Sequence, residues 1–150
     1  MQKVKDTRDS DGEHIEIWHN ATIAGTPCVS LFLRTYAEIV DCEFGIPVFM
    51  FSNDDRVVWA QRPDGTILGG ISYEYKEDKR IGWLVLSFTD PAHRGKGINQ
   101  LCHEAYEEDC KKLGAVCLQS LVHVDNVKRI KSAAKVGMVP KYLQMYKDIK

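Results

Sequence analysis

The chain is short of most features that betray a compartment or a partner. No apolar run approaches the roughly 18 residues a membrane span needs, and the opening MQKVKDTRDSDGEH is polar with no apolar signal core. Net charge is only −1, so nothing marks a surface built for nucleic acid or for lipid. The five cysteines (Cys28, Cys42, Cys102, Cys110 and Cys117) are odd in number and hold no CxxC pair. They read as reduced, packed thiols of a cytoplasmic protein. The five histidines do not join them at ligand spacing, which argues against a metal site. No repeat, linker or low-complexity segment breaks the sequence.

What is present is an ordinary globular composition, 44% apolar and 27% charged over 150 residues. That length predicts one domain spanning 1–150, with residues 1–12 as a loose leading segment. A strand is expected at 14–18, where apolar and polar residues alternate. A helix is expected at 26–40, with Thr26 as N-cap, Pro27 in the first turn, and Cys28, Phe32, Tyr36, Ile39 and Val40 on one face. Residues 46–52 are apolar and ambiguous between strand and helix end. VVWAQR, the turn PDGT and ILGGISYEY make a hairpin, with Gly65 supplying a positive φ.

After a polar turn at 76–80, IGWLVLSFT (81–89) reads as a strand covered on both faces. Residues 98–113 have helical periodicity that only Asp109 interrupts, and Gly114 is a natural terminator. A strand at 115–124 follows. A helix at 127–136 comes next, capped by Asp125 or Asn126, with Val127, Ile130 and Ala134 inward. A last strand is expected at 138–149. The order β–α–β–β–β–α–β–α–β predicts an α+β fold, a mixed sheet flanked by helices.

Between the strand at 81–89 and its helix lies DPAHRGKGIN (90–99). Amides at a helix start lack intrahelical acceptors and carry partial positive charge. Gly95 and Gly97 let that backbone approach a ligand, and Arg94 and Lys96 add full charges. The combination suits a phosphate or pyrophosphate; a plain turn with solvated cations is the simpler alternative. GxxxxGK[ST] is absent, and the dinucleotide pattern GxGxxG lacks its third glycine.

Arg94-Gly95-Lys96-Gly97-Ile98-Asn99 resembles the [QR]-x-x-G-x-[GA] signature of the GNAT superfamily of acyl-CoA-dependent N-acyltransferases, preceded by the proline that P-x-x-R-G-K-G often carries there. Asn126 and Gly137, eleven residues apart, match a second landmark of that superfamily. The element order from residue 57 onward matches as well, so the resemblance covers about two thirds of the chain. It implies a mostly antiparallel sheet splayed between the family's fourth and fifth strands, here 81–89 and 115–124. It implies an enzyme that moves an acetyl group from acetyl-CoA to a primary amine, by direct attack in a ternary complex.

The resemblance further implies that the backbone of Ser87, Phe88 and Thr89 holds the acyl and pantetheine groups, with an amide near Ser87 polarising the thioester carbonyl. Amides from Gly95 through Gly97 and Ile98 to Asn99 take the pyrophosphate, beside Arg94 and Lys96. Asn126 either contacts the pantetheine or simply caps its helix. Asn99 departs from the family's Gly or Ala. Two usual catalytic positions also depart: Ala133 stands where many members have a Tyr acid, and Trp83 where some have a Glu base. The residues left for catalysis are Glu74 and His123 as bases, and Tyr73, Tyr142 or Tyr146 as acid. Cys117 on the fifth strand is read as packed rather than nucleophilic. Lys128, Lys131 and Lys135, with Arg129 beside them, form a basic stripe that reads first as a solvated face, then as a 3′-phosphate contact, and third as a nucleic-acid surface.

A silent acyl-CoA-binding sensor is the alternative function, favoured by Ala133. The acceptor, a small-molecule or protein amine, is not coded; Glu38, Asp41 and Glu43 are acidic residues suited to greet a cationic one. No nucleic acid, membrane or metal is expected, and the family's habit admits a homodimer.

Overall fold

The computed structural model describes residues 1–34 and 52–149. The elements are β1 (Gln2–Arg8), β2 (His14–Asn20), a helix α1 seen from 29 to 34, β3 (Arg56–Gln61), β4 (Ile67–Lys76), β5 (Ile81–Thr89), α2 (Ile98–Leu113), β6 (Cys117–Gln119) and α3 (Val127–Lys135). One six-stranded sheet runs in the order β1-β2-β3-β4-β5-β6. Every neighbouring pair is antiparallel except β5–β6, which is parallel. The expected mixed, mostly antiparallel sheet flanked by helices is therefore present.

Alternation in the strands splits the core between two faces. Ile15, Ile17, Val58, Ala60, Ile71, Tyr73 and Leu84 meet α2 through Ile98, Cys102, Ala105, Tyr106 and Cys110. On the other face Val57, Trp59 and Leu86 meet Cys28 and Phe32 of the α1 region. Burying each large apolar side chain contributes about 1.5–3 kcal/mol. The hairpin between β3 and β4 closes as the PDGT turn requires, with Gly65 at φ +90° and the Gly65 N–H donating to the Arg62 carbonyl at 2.9 Å.

Several expectations give way. Residues 1–12 are not loose: Gln2–Arg8 is a strand whose backbone pairs along β2. The strand expected at 115–124 is only Cys117–Gln119, because its ladder to β5 ends at Trp83–Gln119 and the residues beyond have no strand to pair with. No strand forms at 138–149, where Tyr142 is 77% and Ile149 94% exposed; alternation there finds no neighbouring strand to reward it. In α3 the buried residue is Ala133, while Val127 and Ala134 are exposed, so the packed face is rotated by one residue from the expected one. Cys117 is exposed, not packed. The remainder of the expected 26–40 helix, residues 46–51, Cys42, and the acidic trio Glu38, Asp41 and Glu43 lie outside the described residues.

Candidate active site

β5 is bound differently on its two edges. Against β4 it is paired from Ile81 to Thr89, with one irregularity near Tyr73. Against β6 it is paired only at Ile81, Gly82 and Trp83. From Leu84 to Thr89 no strand among the described residues covers that edge, since all three residues of β6 are used in pairing Ile81 to Trp83. Gly82 lies in the paired stretch. A Cβ there would sit 2.6 Å from Cys110 Sγ and 2.7 Å from Leu118 Cδ2, so only glycine lets α2 and β6 close in. The Tyr106 hydroxyl donates to the Gly82 carbonyl at 2.9 Å and ties α2 to β5.

β5 ends at Thr89 and runs into the loop before α2. Gly95 and Gly97 both have φ +79°, and a Cβ on either would meet nothing within 4 Å. The space above this backbone is open. Gly97 is the N-cap of α2, no side chain caps the helix, and its first turn holds no acidic residue. Among the described residues, no side chain accepts from the positive end of this 16-residue helix. Ile98 anchors the helix start at 2% exposure. It lies over Gly69, where a Cβ would be 2.7 Å from the Phe88 carbonyl oxygen and 3.2 Å from Ile98 Cγ2.

Asn99, which departs from the family's small residue, has a partner: the Ser87 hydroxyl donates to its Oδ1 at 2.6 Å. This bond ties the strand end to the helix start. The Arg94 Nε–H donates to the Thr89 carbonyl at 3.0 Å, and the guanidinium lies 5.4 Å from the centre of the Phe88 ring. The structure therefore brings Ser87, Phe88, Thr89 and residues 94–99 together. Asn126 caps α3, its side-chain oxygen accepting from the Arg129 N–H at 3.2 Å.

The expected catalytic side chains lie elsewhere. Glu74 is exposed on β4, in register with Trp83 of β5. His123 lies past the end of β6, and its Nδ1 accepts from the Asp125 N–H at 3.1 Å. Among the tyrosines, Tyr73 is fully buried and donates to Asp109 Oδ2 at 2.6 Å. Burial, then this carboxylate, push its phenol far above the ordinary range. Tyr142 and Tyr146 are exposed, and Tyr146 donates to Asp148 at 2.7 Å. Ala133, at the family's usual Tyr position, is buried against the fold. The stripe Lys128, Lys131 and Lys135 is exposed, while Arg129 is half-buried and burial lowers its guanidinium's pKa.

A polar network missed in the sequence lies under the C-terminal part of α2. Asp109, the residue that interrupts the apolar stripe, accepts from Arg56 Nε at 2.8 Å and from Tyr73, with His19 Nε2 at 3.5 Å. Burial works to raise the Asp109 pKa, but the hydrogen bonds from His19, Arg56 and Tyr73 outweigh it and hold the carboxyl well below the usual range. The signal available in the sequence was the misplaced aspartate itself. Asp55, before β3, goes the other way. Burial raises it to about 6 against a bond from the Ser52 amide, helped by nearby Glu74 and Asp54. Among the described residues, Asp6, His14 and Glu16 bring potential metal-ligand atoms within 4.8 Å of one another. The Lys3 ammonium pairs with both Asp6 and Glu16.

The model of the acetyltransferase (GNAT) family matches residues 27–138. The chain belongs to that family. The matched span includes β5, β6 and the whole loop at 90–99. Solved structures agree on the fold. A putative acetyl transferase from Pyrococcus furiosus superposes with a TM-score of 0.71 at 18% identity, over 90% of this chain and 99% of that one. An aminoglycoside acetyltransferase from an uncultured soil metagenomic sample, in complex with sisomicin, gives 0.68 at 15%, over 91% and 97%. A ribosomal-protein-alanine N-acetyltransferase from Brucella melitensis gives 0.66 at 13%, over 90% and 99%. No curated protein matches the chain. GNAT proteins typically bind acetyl-CoA, and the residues here fit such a group. A bare helix start and two glycines opening on free space suit a pyrophosphate, and an uncovered strand edge suits an extended amide-bearing arm. No helix among the described residues is long and apolar enough to cross a membrane.

Proposed function

We propose that residues 1–150 form a single-domain N-acetyltransferase that moves an acetyl group from acetyl-CoA to a primary amine in a ternary complex. The observation that carries this is the continuity of the uncovered edge of β5 with the uncapped, glycine-flanked start of α2. Acetyl-CoA, when bound, supplies an activated thioester acyl group. Ser87, Phe88 and Thr89 offer their backbone as a strand-like partner for the pantetheine arm, and an amide near Ser87 polarises the acyl carbonyl. Amides from Gly95 to Asn99, with Arg94 and Lys96, take the pyrophosphate. Asn126 contacts the pantetheine through its amide N–H while its oxygen caps α3.

The acceptor nitrogen forms a bond to the acyl carbon, the carbon–sulfur bond breaks, and the amine's proton must leave. Glu74 is the favoured base. It is in register with Trp83, the position where some members carry a base, so a carboxylate reaches the same stretch of sheet from the neighbouring strand. It stands three residues from Ile71, the partner of Ser87, or about 10 Å along the strand, so the proton passes through water. His123 is the second candidate. The acidic setting of Glu74 and Asp55 favours a cationic acceptor, small molecule or protein. Buried, unpaired thiols at Cys28, Cys102 and Cys110 fit the reducing cytoplasm. Exposed Leu143, Met145, Tyr146 and Ile149 fit a homodimer contact.

The second reading, a silent acyl-CoA-binding domain, is favoured by buried Ala133 and by the locked hydroxyl of Tyr73. A panel of amines incubated with acetyl-CoA and a thiol reagent separates the two. Amine-dependent thiol release that falls at least tenfold in Glu74→Gln supports the enzyme with Glu74 as base. Acetyl-CoA binding with no release on any amine supports the silent binder.

A further inference from the structure

The N-terminal hairpin does more than extend the sheet, for its turn is seated on the anion loop. The turn is rigidly built. The Asp9 side chain is fully buried and accepts the N–H of Asp11 at 2.9 Å and of Glu13 at 3.0 Å. Arg62 from the next hairpin donates to its other oxygen at 2.9 Å. Gly12 takes φ +81°, and Arg8 donates to its carbonyl at 2.6 Å. This frame aims two groups at the loop. The Ser10 N–H donates to the Lys96 carbonyl at 3.1 Å, and the Asp11 carboxylate lies 3.4 Å from the Lys96 ammonium. Lys96 is the residue between the two left-handed glycines.

We propose that this turn is an electrostatic gate on the anion loop, in which Asp11 holds Lys96 until a phosphate displaces it. The inference rests on the acetyl-CoA reading of the loop. Arg94 is directed to the Thr89 carbonyl, so Lys96 is the cation best placed to swing toward a ligand above Gly95 and Gly97. Asp11 is 59% exposed in its side chain and Lys96 29%, so their pairing is the weak, salt-screened kind. A pyrophosphate, with more than one negative charge and several acceptor oxygens, outcompetes a single carboxylate there. A ligand without phosphate gains nothing from displacing it. The gate thus sets a charge threshold for entry, and its carboxylate stays near the bound phosphates as a repulsive neighbour that speeds release.

The test is calorimetric titration of the full chain with CoA and with pantetheine, which lacks the phosphates. The parent, Asp11→Asn, Lys96→Ala and the double variant are compared at low and high salt, with circular dichroism confirming folding. Asp11→Asn is expected to bind CoA about two- to fivefold tighter, the range an exposed ion pair allows. The gain should shrink in high salt, vanish in the Lys96→Ala background, and be absent for pantetheine. If parent and Asp11→Asn bind CoA equally, the gate is overturned while the acetyl-CoA reading stands. If neither folded protein binds CoA, both fall together. A gain that persists without Lys96 overturns the gate as well, because Asp11 would then act on something else. Asp11→Ser serves as a second neutral variant should the asparagine make a new bond of its own.

Discussion

The two edges of β5 differ in kind, although one strand supplies both. Toward β4 it is paired along its length, over a core containing Tyr73, Leu84 and Tyr106. Toward β6 it is paired for three residues and then left open, and the chain past Gln119 contributes few buried side chains. The closed edge spends its residues on packing and on one satisfied polar network. The open edge leaves strand backbone uncovered and runs into a helix start with no side-chain cap and a cationic loop that the Ser10–Asp11 turn touches. A scaffold rigid on one side would let the proposed acetyl-CoA site on the other keep its shape without a strand to fill it.

The comparison breaks most visibly at Asp109. Asp109→Ala removes the partner of a half-buried Arg56 and the acceptor of buried Tyr73, and should cost about 3–5 kcal/mol in urea denaturation at neutral pH. A loss under about 1 kcal/mol would show that the closed edge does not depend on this network. Gly69→Ala drives a Cβ against the Phe88 carbonyl and Ile98, and should cost about 1–3 kcal/mol while weakening acetyl-CoA binding through the displaced helix start. Equal stability and affinity in that variant would mean that the strand-to-helix spacing is not tight.

The carboxylates give the comparison a pH signature. Asp55, raised to about 6, contributes stability that is fully present below the ordinary aspartate pKa of about 4 and is lost as pH rises through about 6. Its share is on the order of 2 kcal/mol. Asp109 is depressed, so its contribution is present above about pH 4 and is lost as pH falls further. Stability should therefore rise on acidification from pH 7 toward 4 and fall below it. Asp55→Asn should flatten the first limb, and Asp109→Asn the second. A curve unchanged by Asp55→Asn would contradict the buried-carboxylate account. The smallest effect is chemical. Exposed Cys117 should be alkylated promptly with no change in fold, while Cys28, Cys102 and Cys110 wait for unfolding. Burial raises Cys102 and Cys110 to about 12, which keeps them as unreactive thiols. Labelling of all of them at one rate would erase the distinction.

Much of the closed edge was legible because its periodicities are local. The PDGT hairpin, the strand at 81–89 and the helix ended by Gly114 each follow from spacing and turn chemistry. The loop at 90–99 was legible as a strand-to-helix junction because Gly95 and Gly97 take the positive φ that such a turn asks of glycine. The leading strand was hidden because QKVKDTR is polar; it is held by ladder bonds to β2 and by Lys3 and Asp6 pairing on its surface, not by an apolar face. The segment 138–149 misled in the reverse direction, since apolar alternation predicts a strand only where an edge is there to receive it. Asp109 and Asn99 each looked like an irregularity until its partner, distant in sequence, was known: Arg56 and Ser87.

The central claim is that the open edge and its loop hold acetyl-CoA. Calorimetric titration of the purified chain with acetyl-CoA, beside the Arg94→Ala/Lys96→Ala double variant, tests it most directly. Saturable binding by the parent, weakened about tenfold or more in the variant, is the result predicted from losing two charged contacts. A folded parent that shows no binding, or a variant that binds as well as the parent, would contradict it.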